Sequence, residues 1–169
     1  MRKIKNNIEK LCSFYVSDWH MVTMLLPYIN KKTEENVNII TILEQDIEEN
    51  IKMLIKKLNL KNENKILELN LKKTAGIKYE ETKNKMQNLI DKENNIILIS
   101  GSKAFIDGTN CNMKKFFEEN IDKFEDVNIK VINCYEVEDF NFNITAILQQ
   151  HDKILNTSGE KEINEVFEG

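Results

Sequence analysis

The alternation of apolar runs with amphipathic segments predicts an α/β protein built on a mostly parallel sheet. Apolar runs of strand length, such as Leu11–Val16 and Ile96–Ile99, are each followed further along the chain by a segment with helical periodicity. Ile96–Ile99 is continuously apolar, which is typical of a central strand covered on both faces. This order predicts one three-layer domain over residues 1–169, with five to six strands, helices on both faces and right-handed crossovers.

The first half of the chain is expected to supply three strands and two helices. The first strand leads into a helix over about Trp19–Lys32, in which Pro27 predicts a kink or a restart because proline lacks an N–H. Val37–Leu43 is the second strand, and Asp46 is expected to cap the helix behind it. Ile66–Leu71 alternates between apolar and polar residues, which predicts a strand near the sheet edge. The helix after Asp46 has an apolar stripe that we expect to be buried: Ile47, Ile51, Leu54, Ile55 and Leu58.

The second half continues the alternation around the central strand. Tyr79–Lys92 is expected to be a polar surface helix, and Ser100–Asn110 a loop that leads into another helix. Val127–Cys134 is the next strand, Lys153–Asn156 a short one and Glu160–Phe167 a last helix. The helices on either side of Val127–Cys134 have apolar stripes: Met113, Phe116, Phe117 and Ile121 on one, and Ile144, Ile147, Leu148 and His151 on the other.

Composition narrows the class of partner. The net charge of -4 argues against nucleic acid, because phosphate binding needs a concentrated basic face. No apolar run approaches the roughly 20 residues that cross a bilayer, and the basic start of the chain is not followed by the apolar segment of a signal peptide. Cys12, Cys111 and Cys134 show no paired spacing and are interpreted as reduced thiols. A cytoplasmic protein without membrane partner, metal or cofactor is the resulting expectation.

Ligands of open α/β sheets bind at the carboxyl ends of the strands, which selects a small set of candidate residues. We predict that these residues line a site for a small organic ligand. They are Ser17, Asp18, Trp19 and His20 after the first strand, Glu44 after the second, Ser100, Gly101 and Ser102 after the central strand, and Cys134, Tyr135 and Glu136 after the fifth.

The apparatus for nucleotide hydrolysis is missing from its two expected places. Phosphate-binding corners after a first strand usually carry a glycine-rich loop, whereas Ser17-Asp18-Trp19-His20 contains no glycine, and no GxxxxGK[ST] run occurs. In ATPases with a GxxxxGK[ST] loop, the central strand usually ends in an acidic residue that positions magnesium. Here the central strand ends in Ser100. A non-catalytic domain is therefore predicted, and nucleotide binding without hydrolysis stays open.

Several candidates also have a purely structural interpretation. Ser100, Gly101 and Ser102 either present backbone N–H groups to an anion or form a tight turn, and the turn is preferred. His20, Glu44 and Cys134 have no paired metal-ligand spacing, so neither a metal site nor a Cys–His pair is favoured. Trp19 either forms an apolar wall of the site or covers the sheet edge.

Two stretches of the sequence resemble a known sensory family. FYVSDWHMVTMLLPYI at 14–29, followed by VNIITILE, and VINCYEVEDFNFNITAILQQHDKIL at 131–155 are similar to the MEDS domain of DcmR-type regulators in methanogens and methylotrophs. Leu25–Ile29 matches its first-helix motif, and the C-terminal signature is matched by Cys134, Tyr135, Phe140, His151, Ile154 and Leu155. The resemblance spans about residues 11–157. It implies a fold of the recombinase and circadian-clock ATPase type without its phosphate loop.

The resemblance also implies a regulatory function. Such domains are thought to bind small organic compounds, and they are usually joined to a helix-turn-helix or kinase module for which this chain has no room. Output is then expected through a regulatory partner protein or a homo-oligomer. Two alternatives remain: a ligand-free interaction module, such as a homodimer or a partner of a kinase or sigma-factor regulator, and a small hydrolase using Cys134 or Glu44.

Overall fold

The computed structural model describes residues 8–35, 37–43, 46–69, 79–90, 95–101, 103–119, 128–140 and 144–164. Its strands are β1 (Ile8–Tyr15), β2 (Asn38–Ile42), β3 (Asn95–Gly101), β4 (Asn128–Glu136), β5 (Lys153–Asn156) and β6 (Gly159–Glu162). Its helices are α1 (Asp18–Thr33), α2 (Glu48–Leu58), α3 (Glu63–Leu67), α4 (Tyr79–Ile90), α5 (Lys103–Glu119), α6 (Val137–Phe140) and α7 (Ile144–Gln149). Across these ranges, no helix combines the length and the apolar character that crossing a membrane requires.

One sheet of mostly parallel strands organises the molecule, as the sequence predicts. The strand order is β2-β3-β4-β1-β5-β6, and only the β5–β6 pair of these neighbours is antiparallel. From β1 the chain crosses to β2 at one edge, whereas from β4 it crosses past β1 to β5. These opposite directions place the topological switch point between the neighbouring strands β1 and β4.

Helices cover both faces of the sheet. On one face, α1, α2 and α3 pack in a single apolar cluster with strand residues such as Leu11, Ile99 and Ile132. On the other face, α4 and α5 contact Leu98 and Val131, and α7 joins α5 around the carboxyl half of the sheet. Because side chains alternate along a strand, the continuous apolar run of β3 supplies both clusters, and it is buried throughout from Ile96 onward.

Three predicted segments adopt a different structure. Over its described part, Ile66–Leu71 is not a strand: Ile66 and Leu67 end the short helix α3, and Leu71 lies outside the described residues. The reason is that Ile66 is buried in the α1 cluster, while the Asn62 amide donates to the Asn30 side chain at 3.3 Å and ties α3 to α1. Tertiary packing therefore overrides the short alternating pattern.

The loop predicted over Ser100–Asn110 is also wrong, because α5 begins at Lys103 directly behind β3. The residues at helical spacing, from Ile106 through Thr109 to Met113, form a buried face against the sheet. The helix predicted over Glu160–Phe167 begins instead as β6, since Gly159 turns the chain at a φ of 102° and lets β6 pair back along β5. Residues 163 and 164 are helical, and 165–167 lie outside the described part.

Three predictions about single residues in α1 and α2 differ from the structure. The helix α1 continues through the exposed Pro27 without a restart. The N-cap residue of α2 is Ile47 and not the predicted Asp46, although an Asp46 side-chain oxygen accepts the Glu48 N–H at 3.2 Å from one residue further back. Leu58 is 51% exposed and does not belong to the buried stripe, because it is the last residue of α2 and the chain turns away at Asn59.

Candidate functional site

A serine closes the corner between β1 and α1. Ser17 is extended, with φ of -157° and ψ of 167°, and its hydroxyl accepts the His20 N–H at 3.2 Å. Its carbonyl accepts the Met21 N–H at 3.0 Å, which starts the helical ladder. A side-chain oxygen thus satisfies one of the donors that a helix leaves unpaired at its start. Asp18 adds a negative charge in the first turn, where the helix dipole favours it.

His20 is held by the backbone of the same corner. Its Nδ1 accepts the Val16 N–H at 3.0 Å, so a neutral ring carries its proton on Nε2. This bond closes the turn from the opposite side to the Ser17 cap. The imidazole is partly exposed, and its hydrogen bond to Val16 stabilises the turn between β1 and α1.

Two large apolar side chains lie open to solvent at this corner. Val16 is 65% exposed and Trp19 is 44% exposed. They directly follow β1, one of the two strands that flank the switch point. An accessible apolar surface at a strand end is the kind of surface that ligands and partners use.

The strand register aligns the ends of β1, β3 and β4. Tyr15 lies opposite Glu136, and Gly101 lies opposite Cys134. Tyr135 is buried, stacks on Phe14 with ring centroids 5.9 Å apart and meets His151 edge-on at 5.8 Å. The predicted site residues at the ends of β1 and β4 therefore lie at one edge of the sheet. Glu136 is half-buried at the end of β4.

The remaining candidates divide between the two faces or lie outside the described residues. Cys134 packs in the α1 cluster, whereas Tyr135 packs in the α5–α7 cluster, so neighbouring residues of β4 point to opposite faces. Ser100 is completely buried. Glu44 and Ser102 fall outside the described residues, so the predictions for them stay predictions.

The buried cysteines are poor nucleophiles. Burial raises the pKa of Cys134 to about 12 and that of Cys12 to about 12, so both thiols are protonated at neutral pH. His20, the histidine considered for a Cys–His pair, is hydrogen-bonded to the Val16 backbone. In the part of the chain that the structure describes, no group of three His, Cys, Asp or Glu residues is arranged to hold a metal ion.

A buried polar layer under α5 contains one predicted site residue, Ser100, together with residues that were not predicted. The Nδ1 of His151 lies 2.6 Å from the Ile147 carbonyl, and its Nε2 lies 3.0 Å from Asn133 Nδ2. Burial lowers the pKa of His151 and favours its neutral form. Thr109 of α5 and Ser100 of β3 are also fully buried polar residues on this side of the molecule. The only signal in the sequence is an asparagine inside the apolar run of β4.

Three cavities are bordered by described residues, and none of these three is lined by a predicted site residue. One of 370 Å³ lies between α1 and the β5–β6 turn, and one of 260 Å³ lies at the amino ends of β3 and β4. The third, of 590 Å³, lies between α5 and residues 150–152. Its apolar lining comprises Ile8, Met113, Phe117 and Val131, and its volume suits a small organic molecule.

A network of charges ties β6 to α1 and the sheet beside the 370 Å³ cavity. Glu160 Oε2 accepts hydrogen bonds of 2.7 Å from the Tyr28 hydroxyl and from Lys130 Nζ. Glu9 lies 3.6 Å from Lys130 and 3.4 Å from Lys153. Partial burial favours a higher pKa for Glu160, but the bonds from Lys130 and Tyr28 prevail and hold its pKa below the usual value. These groups are committed to one another, which favours a structural role.

Comparison with known proteins finds no protein-family model that matches this chain and no significant match among curated proteins. Function has to be inferred from the geometry of the chain itself.

Proposed function

We propose that this chain is a non-catalytic regulatory domain that binds a small organic ligand at the carboxyl edge of its sheet and acts through a partner protein. The observation that carries the proposal is the exposure of Val16 and Trp19 beside the switch point between β1 and β4. Binding sites of this class combine an apolar wall with a few fixed polar groups. Ser17, His20 and Glu136 supply polar groups beside the two apolar side chains.

The chemistry of the corner favours recognition over turnover. Ser17 and His20 are hydrogen-bonded to the chain around them, which fixes their positions. Cys134 is the most plausible nucleophile of the predicted set, and its thiol is buried and protonated. A covalent mechanism through Cys134 therefore has little support, and a hydrolase is the weakest of the three alternatives.

We extend the proposal to the family and the compartment. The chain is proposed to be a MEDS-type sensory domain of the cytoplasm, with the ATPase-like fold that lacks a phosphate loop. Two features support this: a serine cap replaces a glycine-rich loop at the β1–α1 corner, and the Cys134-Tyr135 pair lies near the end of β4.

Signal transfer is proposed to run through α1 and the end of β4. The segment behind β3 is the helix α5 rather than a long loop, so it offers no loop to rearrange. A ligand on Trp19 would stabilise whichever arrangement of the α1 first turn it binds more tightly, and a partner would detect that change.

The fluorescence of Trp19 tests the ligand-binding proposal, because it is the one tryptophan of the chain. The experiment measures emission and melting temperature against a panel of small metabolites and nucleotides. A hit should be weakened by Val16→Ala and unaffected by Met53→Ala, a matched change of another exposed apolar side chain on α2. A panel that changes neither emission nor melting temperature would remove the main support for a ligand at this corner.

A ligand-free interaction module is the second candidate, and the same exposed apolar surface favours it. Under this alternative Val16 and Trp19 contact another chain, for instance a second copy of this one. Light scattering across a concentration range separates the two proposals. A dimer that Trp19→Asp dissociates, without any response to the panel, favours the interaction module.

A further inference from the structure

Three buried side-chain oxygens on the α5 side of the sheet have no hydrogen-bond partner among the described residues. They are Ser100 Oγ, Thr109 Oγ1 and Asn133 Oδ1, and their residues are at most 1% exposed. Folded proteins leave few buried polar atoms unsatisfied, because each loses its bonds to water. Three such oxygens on one side of the sheet point to a binding site for a polar group.

The sheet register and the helical spacing place these oxygens in one layer. Ser100 and Asn133 are register partners on β3 and β4. Two residues earlier on each strand, Leu98 and Val131 pack against Met113 of α5, so Ser100 and Asn133 face the same helix. Thr109 lies on the buried face of α5 between Ile106 and Met113. The polar layer thus separates two apolar clusters beneath α5.

The hydrogen bonds of His151 determine which atom of the Asn133 amide is left without a partner. A carbonyl only accepts, so His151 Nδ1 donates to Ile147, and in the neutral ring Nε2 accepts from Asn133 Nδ2. The oxygen left over, Asn133 Oδ1, therefore needs a donor.

We propose that this polar layer, defined by Ser100, Thr109 and Asn133, binds one hydroxyl-type oxygen. That oxygen donates its proton to Asn133 Oδ1 and accepts from the hydroxyls of Ser100 and Thr109, which satisfies all three atoms. Water has the required donor and acceptors, and so does an alcohol. A buried water typically makes about three hydrogen bonds of this kind.

The 590 Å³ cavity offers a second source of the oxygen. Asn110, next to Thr109, lines it, and so do Gln150 and Asp152 on either side of His151. Under this alternative the apolar body of an alcohol lies in the cavity, and its hydroxyl has to extend past the cavity lining to the layer. The layer shares only Ser100 with the residues predicted at the carboxyl edge, whereas the proposed function rests on Val16 and Trp19, so the inference goes beyond that function and does not depend on it.

The variant Thr109→Val tests whether the polar layer is occupied, because an occupied layer and a dry layer predict opposite changes in the free energy of unfolding. If the Thr109 hydroxyl bonds a bound oxygen, the change removes that bond and raises the unfolding equilibrium constant about three- to tenfold. If the layer is dry, the change removes an unsatisfied group and stabilises the protein, which overturns the proposal. Thr145→Val, at an exposed position of α7, controls for the different helix propensities.

A second pair of variants tests whether the oxygen is shared. Ser100→Ala should also destabilise, and its effect together with Thr109→Val should be smaller than the sum, because both hydroxyls bond one occupant. Fully additive effects would contradict a common occupant. Should Thr109→Val not fold, Ser100→Ala provides the same test of sign.

The isomers 1-butanol and diethyl ether distinguish the two sources. Both fit the volume of the cavity, but the ether oxygen cannot donate to Asn133. An alcohol site predicts that butanol raises the melting temperature relative to ether in the wild type and in Thr109→Val, which keeps the Asn133 acceptor, and not in Asn133→Leu. Equal effects of the isomers, with Thr109→Val destabilised, support the layer and assign its oxygen to water.

Discussion

At the scale of single residues, the β1–α1 corner depends on the hydroxyl of Ser17. We expect Ser17→Ala to destabilise the protein by about 1 kcal/mol, because the His20 N–H loses its acceptor at the start of α1. Urea unfolding followed by Trp19 fluorescence measures this loss. Ser17→Asp keeps an acceptor and should recover most of the stability. An alanine variant as stable as the wild type would show that the cap contributes nothing.

His151 gives the stability a specific dependence on pH. Its pKa is lowered in the folded protein, so below the ordinary histidine value the unfolded chain binds more protons than the folded one. The stability contributed by the neutral ring is present above about pH 6.5, the ordinary histidine pKa, and is lost progressively as the pH falls below that value.

Unfolding at pH 7.5 and 5.5 should therefore show a loss of stability that is smaller in His151→Gln, which cannot titrate. The glutamine variant is the matched comparison, because it retains polar atoms near Asn133. An unchanged loss of stability in the variant would contradict a buried neutral His151.

The residues of the site were predictable in part. The rule that ligands bind at strand ends selects side chains that the register aligns, such as Tyr135 and Glu136, and their role in binding stays a prediction. It gives no information on the face to which a residue points, which separates Cys134 from Tyr135. It also misses Thr109 and Asn133, because a polar residue within an apolar pattern does not reveal its partners.

At the scale of secondary-structure elements, α2 shows that a residue can follow the apolar periodicity of a helix without being buried. Ile55 and Leu58 are three residues apart on one predicted stripe, yet Ile55 is 1% exposed and Leu58 is 51% exposed. We expect Ile55→Ala to cost about 2–5 kcal/mol, as is usual for a large-to-small change in a core. Leu58→Ala should stay within about 0.5 kcal/mol, as for other surface positions. Denaturant midpoints of the two variants provide the measurement, and similar losses would contradict this assignment of the stripe.

The elements that the sequence mispredicts are short or lie next to a strand end. Ile66–Leu71 alternates like a strand, but burial of Ile66 beneath α1 and the Asn62 amide bond decide for a helical turn. At Glu160 the pattern fits a helix equally well, and pairing along β5 decides for a strand. Long segments with a sustained apolar stripe, such as α1, are predicted correctly because many residues contribute to the same pattern.

At the scale of the whole molecule, the α/β class and the parallel sheet are confirmed, whereas the strand order was not predictable. Alternation of strands and helices determines the class. Which strands become neighbours depends on contacts far apart in sequence, such as the pairing of β1 with both β4 and β5. The position of the switch point, and with it the candidate site, follows only from that order.

The three cysteines report whether the molecule opens as one unit. Cys111 is exposed on α5, while Cys12 and Cys134 are buried on opposite faces of the sheet. Mass spectrometry after iodoacetamide treatment should find one modified cysteine in the native protein and three in urea. Both buried thiols should react over the same urea range as global unfolding. Modification of Cys12 well before Cys134 would indicate that one side of the sheet opens first.

The reversed strand β6 has a consequence for self-association. It ends the β1 side of the sheet with a glycine followed by three residues of alternating charge, Glu160, Lys161 and Glu162. A second chain that added a strand here would place its backbone against closely spaced charges, and the short edge would give it few hydrogen bonds. The antiparallel hairpin thus disfavours the addition of a strand from another chain at this edge.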